Sequence, residues 1–82
     1  MASARSRHEH VAAVLRQRIT RQEYQIGDSL PAESALCAEF DVSRGPVRQA
    51  LATLKNEGLI RVSRGKPATV RSHDVRQTLD TF

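Results

Sequence analysis

Apolar residues recur along this chain at two different spacings, and the change from one to the other falls at Gly58. From His8 to Gln22, the residues Val11, Val14, Leu15 and Ile19 return at helical intervals with Arg16, Arg18 and Arg21 between them, which predicts a first helix. Tyr24 and Ile26 follow in a turn that ends at Gly27 and are expected to fold back onto the core. A second helix is predicted from Leu30-Pro31 to Phe40, because proline is tolerated in a first helical turn, where its missing N–H has no intrahelical partner. Glu33 suits the positive end of that helix, and Ala32, Leu36 and Phe40 supply its apolar face. Asp41-Val42-Ser43 reads as a short turn, with the Ser43 hydroxyl placed to accept from an orphan N–H at the start of a third helix. Val47, Ala50, Leu51 and Leu54 continue at helical spacing until Gly58 supplies a left-handed stop.

Beyond Gly58, Leu59–Ser63 and Ala68–Arg71 are β-prone and flank Arg64-Gly65-Lys66-Pro67, so a hairpin with a basic tip is expected. Two helices joined by about three residues, the second entered through a serine cap, form a helix-turn-helix. The fold class that results is mainly α with a small β-hairpin (α+β): a winged helix-turn-helix of three helices and a two- or three-stranded wing. Residues 1–7 read as a disordered arm and 8–71 as the folded domain. Residues 72–82, whose apolar positions are Val75, Leu79 and Phe82, read as a linker.

Eighty-two residues suffice for one core, and with Tyr24, Phe40 and Phe82 as the aromatic residues that core must be built from aliphatic side chains. The formal charge is +4, which favours a polyanionic partner, either nucleic acid or an anionic membrane surface. Its distribution is uneven. From Arg44 to Arg71 there are seven basic residues (Arg44, Arg48, Lys55, Arg61, Arg64, Lys66 and Arg71) against one acid, Glu57, a surplus of six that leaves the rest of the chain at minus two. Cys37 is the sole cysteine, so no disulfide forms within the chain, and it reads as a packed small side chain. No apolar run approaches the roughly 20 residues that span a bilayer, and no hydrophobic stretch follows Arg5 and Arg7 to make a secretory signal, so a soluble cytoplasmic location is expected. His8, His10 and His73 do not make a metal set, and no nucleophile–base or carboxylate pair suggests catalysis. No enzyme activity, metal or cofactor is expected of this domain.

Arg44 and Arg48 are four apart and share a helix face, away from the stripe of Val47, Ala50, Leu51 and Leu54 that must be buried. Both lie in the first two turns of the third helix, the end that a recognition helix inserts into a major groove, and arginine donates two hydrogen bonds to guanine O6 and N7. They are the candidates for base readout. Gly45 removes side-chain bulk beside them, Pro46 lies within the first turn, and the helix N-terminus at Ser43 favours a phosphate. Arg64 and Lys66, at a Gly-Pro turn, are expected to reach a flanking minor groove or its phosphates. Arg16, Arg18 and Arg21 on the first helix, and Arg61 and Arg71 on the strands, are read as solvent-facing.

The run GDSLPAES, FDVSRGPVRQALATLKNEGLI and RGKPATV, over residues 27–70, resembles the GntR family of bacterial winged-helix transcription regulators. The resemblance implies sequence-specific binding of a palindromic double-stranded operator by a homodimer. It implies repression until a small-molecule effector binds a larger C-terminal domain, toward which residues 72–82 would lead. Carried over position by position, the DNA-binding residues are Ser43, Arg44, Gly45 and Arg48 on the third helix, with Arg64, Gly65 and Lys66 on the wing. Ser34, Pro46 and Thr69 are further candidate phosphate contacts; the family often has arginine at the position of Ser34. Asp41 stands where the family usually has glycine, a site whose backbone geometry aspartate tolerates better than most residues. The competing classes are a winged helix used as a protein–protein module, which predicts an apolar or acidic recognition face, and RNA binding, for which exposed stacking aromatics are missing.

Overall fold

The computed structural model describes residues 4–74, with side-chain burial from Arg7 onward. Three helices, α1 (Ala4–Thr20), α2 (Glu33–Phe40) and α3 (Arg44–Asn56), precede a two-residue antiparallel ladder of β1 (Ile60–Arg61) and β2 (Thr69–Val70). Helix α1 starts at Ala4 rather than His8, because the segment after it holds no proline or glycine to stop the helix propagating backward. Four residues assigned to a disordered arm are therefore helical, while residues 1–3 lie outside the described residues, as do Val75, Leu79 and Phe82.

Each helix ends on a residue in the left-handed region: Gln22 (φ 65°), Asp41 (φ 56°) and Gly58 (φ 82°). At each, an N–H beyond the helix reaches back five residues, from Glu23 to the Arg18 carbonyl, Val42 to Cys37, and Leu59 to Leu54. At α3 the Gly58 N–H also donates to the Lys55 carbonyl, which completes a Schellman stop and turns Leu59 into the core. Glycine was expected there. Gln22 was read as the last helical residue, whereas it is the reversal point past Thr20.

The start of α2 also differs. Pro31 and Ala32 lie outside the helix, Ala32 being its exposed N-cap position, because the preceding residues are engaged elsewhere. The Leu30 N–H donates to the Ala68 carbonyl (2.8 Å), Ser29 bridges Thr69, and the Gly27 N–H donates to the Val70 carbonyl (2.8 Å). The segment after α1 thus lies along the free edge of β2, joined to it by these bonds and one isolated bridge. Gly27, at φ 96°, turns the chain onto that edge, so Leu30 supplies the inward side chain and Ile26 stays 62% exposed. Tyr24 packs partly against the core as expected; Ile26 does not.

The core joins Val11, Ala12, Leu15 and Ile19 of α1 to Leu36 of α2, Val47, Ala50, Leu51 and Leu54 of α3, and Leu59, Ile60, Ala68 and Val70 of the wing. Val14 is half-buried, and Ala12 takes the closer place. Antiparallel register pairs Ile60 with Val70 and Arg61 with Thr69, so the first pair faces the core and Arg61 faces outward. Residues 72–74 are held rather than free. The Ser72 N–H donates to the Leu59 carbonyl, and the His73 ring Nε2 lies 2.7 Å from the Tyr24 carbonyl oxygen.

Two arginines read as solvent-facing fasten α1 to its neighbours. Arg16 donates from Nε and Nη2 to the two carboxylate oxygens of Glu57, both at 2.8 Å, at the C-terminus of α3. Arg18 pairs with Glu39 of α2 and lies over the Phe40 ring, 5.8 Å from its centroid, while the His10 ring meets Phe40 in a T-shaped arrangement. Hydrogen bonding to Glu39 raises the Arg18 guanidinium above its ordinary range, and the same bond holds the Glu39 carboxyl below the usual carboxylate range. Among the described residues no helix is long and apolar enough to cross a membrane.

Leu15→Ala, which empties a fully buried site, should lose about 2–5 kcal/mol in chemical denaturation, whereas Ile26→Ala should change stability by less than about 0.5 kcal/mol. Because the folded Glu39 is the stronger acid, its stabilisation is present above the unfolded carboxylate range and fades as pH falls through the folded value. Melting temperatures of the wild type and Glu39→Gln should therefore differ at about pH 6 and converge toward about pH 3.

Candidate nucleic-acid interface

Helix α3 presents Arg44 and Arg48 outward because the opposite face is committed to the core. Val47, Ala50, Leu51 and Leu54 are buried, while Arg44 and Arg48 project on the exposed side. Together with the wing and the start of α2 they border a groove of about 500 Å³. One wall carries Arg44 and Arg48, the other Arg64, Gly65 and Lys66, and Glu33 and Ser34 close the end at α2. Leu51 and Ala68 contribute to its lining, together with Val62, one of the exposed large apolar residues.

The groove brings together six of the ten residues singled out from sequence: Arg44, Arg48, Arg64, Gly65, Lys66 and Ser34. Ser43, Gly45, Pro46 and Thr69 lie outside its lining. Ser43 occupies the N-cap of α3 with extended backbone (φ −79°, ψ 179°), but its hydroxyl makes no capping hydrogen bond, contrary to expectation. The exposed side chain is left to serve an outside acceptor or donor. Pro46 has no N–H to offer a phosphate and is half-buried, so its contribution is to fix the first turn of α3. Thr69 pairs with Arg61 across the ladder and bridges Ser29 on its other edge.

The two candidate glycines differ in kind. Gly65 has φ 75°, a conformation that a side chain resists, so the wing tip requires it. Gly45 is helical, and a Cβ built there meets nothing within 4 Å. Neither backbone geometry nor internal packing demands glycine at Gly45, although glycine in a helix is unfavourable relative to alanine by about 0.5–1 kcal/mol.

Charge is sorted as well. Arg16 and Arg18 are neutralised by Glu57 and Glu39, whereas Arg44, Arg64 and Lys66 make no ion pair among the described residues. Arg48 is the exception: its Nε donates to both carboxylate oxygens of Glu33, at 3.1 and 3.3 Å. Sequence reasoning placed Glu33 by the helix dipole alone. Nothing in local spacing signals a partner on another helix, so this residue was missed as part of the site.

The chain belongs to the GntR family of bacterial regulatory proteins, whose model matches residues 7–70. It is similar to the HTH-type transcriptional repressor NanR of Cronobacter sakazakii, with 47% identity over 62 residues, covering 76% of this chain and 24% of that protein. The chain thus spans about a quarter of the length of the curated relatives it matches. Among solved structures it is similar to YydK from Bacillus subtilis, described as a possible transcriptional regulator, with a TM-score of 0.74 and 30% identity over 85% of this chain and 31% of that one. It shares its fold with AraR(DBD) solved in complex with operator ORX1, at a TM-score of 0.77 and 24% identity, covering 85% of this chain and 81% of that one. The fold is a winged helix-turn-helix.

Proposed function

We propose that this domain binds double-stranded DNA sequence-specifically, as the operator-reading part of a GntR-type transcriptional repressor. The observation that carries the reading is the groove. Four cations from two separate elements border one concave surface, and three of them make no ion pair among the described residues, whereas Arg16 and Arg18 on α1 are paired with acids. A helix is about 10–12 Å across with its side chains, and a B-form major groove is about 12 Å wide, so α3 fits with its first two turns inward.

In that pose Arg44 and Arg48 meet base edges, and guanine O6 and N7 suit their paired donors. The N-terminus of α3 and the Ser43 hydroxyl take a phosphate. Gly45 lets the sugar–phosphate backbone approach the helix, which explains a glycine that the fold itself does not need. Arg64 enters the adjoining minor groove, and Lys66 meets backbone phosphate as a point charge. Ser34, at the groove's end, is within the same footprint. Two copies on a palindrome would place half-sites about 34–36 Å apart or at multiples of that distance. A homodimeric, effector-responsive repressor in the cytoplasm, bound to the nucleoid when active, is the protein we read this domain to serve.

The test is selection of bound sequences from random duplexes, followed by titration of selected and scrambled duplexes at two salt concentrations. Arg48→Ala should lose about 1–3 kcal/mol on the selected duplex and relax the base preference at one position. Lys66→Ala should weaken both duplexes alike and reduce the logarithmic salt slope by about 0.9. Equal affinity of the wild type for both duplexes would sink the reading. Gly45→Ala should raise folding stability by about 0.4–1 kcal/mol yet weaken DNA binding; unchanged binding would remove the argument from close approach.

A further inference from the structure

The ion pair between Glu33 and Arg48 sits inside the groove, where an acid is out of place if the surface serves only to attract phosphate. Its geometry differs from that of the pair between Arg16 and Glu57. Arg16 gives Glu57 both Nε and Nη2, a side-on, two-bond contact. Arg48 gives Glu33 only Nε, shared between the two carboxylate oxygens. Among the described residues, its Nη1 and Nη2 groups donate to nothing. The Arg48 side chain is 62% exposed and that of Glu33 36%, so the pair is accessible from the groove.

We infer that Glu33 is a positioning residue that decides how Arg48 reads DNA, an inference that rests on the proposed function above. With Nε occupied, Arg48 retains its end-on pair of donors, Nη1 and Nη2, which match two adjacent acceptors such as guanine O6 and N7. The carboxylate also repels phosphate at this point of the groove. A guanidinium that would otherwise settle on the nearest backbone oxygen is thereby reserved for a base edge, where the partner atoms are uncharged. Glu33 has a firm mount: it is the first residue of α2, and the turn behind it is closed by the Leu36 N–H on the Ala32 carbonyl (3.0 Å). The acid lowers non-specific affinity and raises discrimination, which is specificity gained through a repulsive element.

Glu33→Gln retains length and an oxygen acceptor for Nε but removes the charge; Glu33→Ala removes both. Binding of the 82-residue chain to the selected and scrambled duplexes, at about 50 and about 200 mM salt, is followed by fluorescence anisotropy. Circular dichroism confirms that each variant is folded. Glu33→Gln should bind the scrambled duplex about threefold more tightly, with a salt slope steeper by up to about 0.9, since Arg48 then neutralises a phosphate. Glu33→Ala should lower the selected-to-scrambled affinity ratio by about tenfold, the scale of one well-oriented arginine–guanine contact. In an Arg48→Ala background the fall in the selected-to-scrambled ratio should vanish, because there is no guanidinium left to position, whereas the uniform tightening from the lost carboxylate charge persists. A discrimination ratio unchanged in Glu33→Ala, or a fall in that ratio equally large without Arg48, would overturn the inference while leaving DNA reading intact. A wild type that does not discriminate would overturn both.

Discussion

Helix α3 must face two ways at once, and the 3.6-residue period is what allows it. Val47, Ala50, Leu51 and Leu54 close against Val11, Leu15 and Ile19 of α1, and every one of these side chains is buried. Arg44 and Arg48 lie on the far side of the same helix. Rolling α3 by one residue, about 100°, would pull the apolar stripe out of the core and drive an arginine into it, so the hydrophobic contact also aims the cations. The wing obeys the same constraint. Ile60 and Val70 face inward as a pair, and a one-residue slip in register would bury Arg61 and expose both. The orientation of the cationic surface is therefore a by-product of burial, with little need for polar contacts to enforce it.

Polar contacts have a different task, the sorting of charge. Arg16 bonds to Glu57 where α3 ends, and Arg18 bonds to Glu39 in the last turn of α2. Each ties α1 to a neighbour and withdraws a positive charge from the surface. What remains unbalanced is concentrated on α3 and the wing. Glu33 tempers this surplus at one position only, beside the arginine that the proposed reading assigns to a base.

How much of this was legible in sequence varies with the range of the interaction. Helix α3 could be read whole, because its periodicity, the Ser43 entry and the Gly58 stop are all local signals. The left-handed Asp41 was anticipated from the residue type that the resemblance puts there, but Gln22 was not, since glutamine carries no preference for that region. The start of α2 was misplaced because Leu30 answers to Ala68, and Ser29 to Thr69, residues far along the chain. Arg16 and Arg18 looked like solvent residues for the same reason: their acids lie on other helices. Five of the candidate contacts, together with Ser34, do converge on one groove, yet the acid that completes it was invisible until α2 and α3 were set side by side.

The groove's two walls are restrained to different degrees, and this fits the division of work between them. Arg44 and Arg48 stand on a helix whose buried face fixes it and whose end is locked by the Schellman bonds of Gly58 and Leu59. The opposite wall is the loop that crosses from β1 to β2, which begins where the two-residue ladder ends. Between Val62 and Pro67 its recorded backbone bond is the long contact from the Lys66 N–H to the Ser63 carbonyl, at 3.3 Å. Base discrimination demands positional accuracy of about 0.5 Å from a rigid mount, whereas phosphate and a narrow groove vary in position with sequence and reward a surface that can adjust. The arginines to which the proposed reading assigns base edges are thus on the stiff wall, and the cations it assigns to the minor groove and phosphate are on the yielding one.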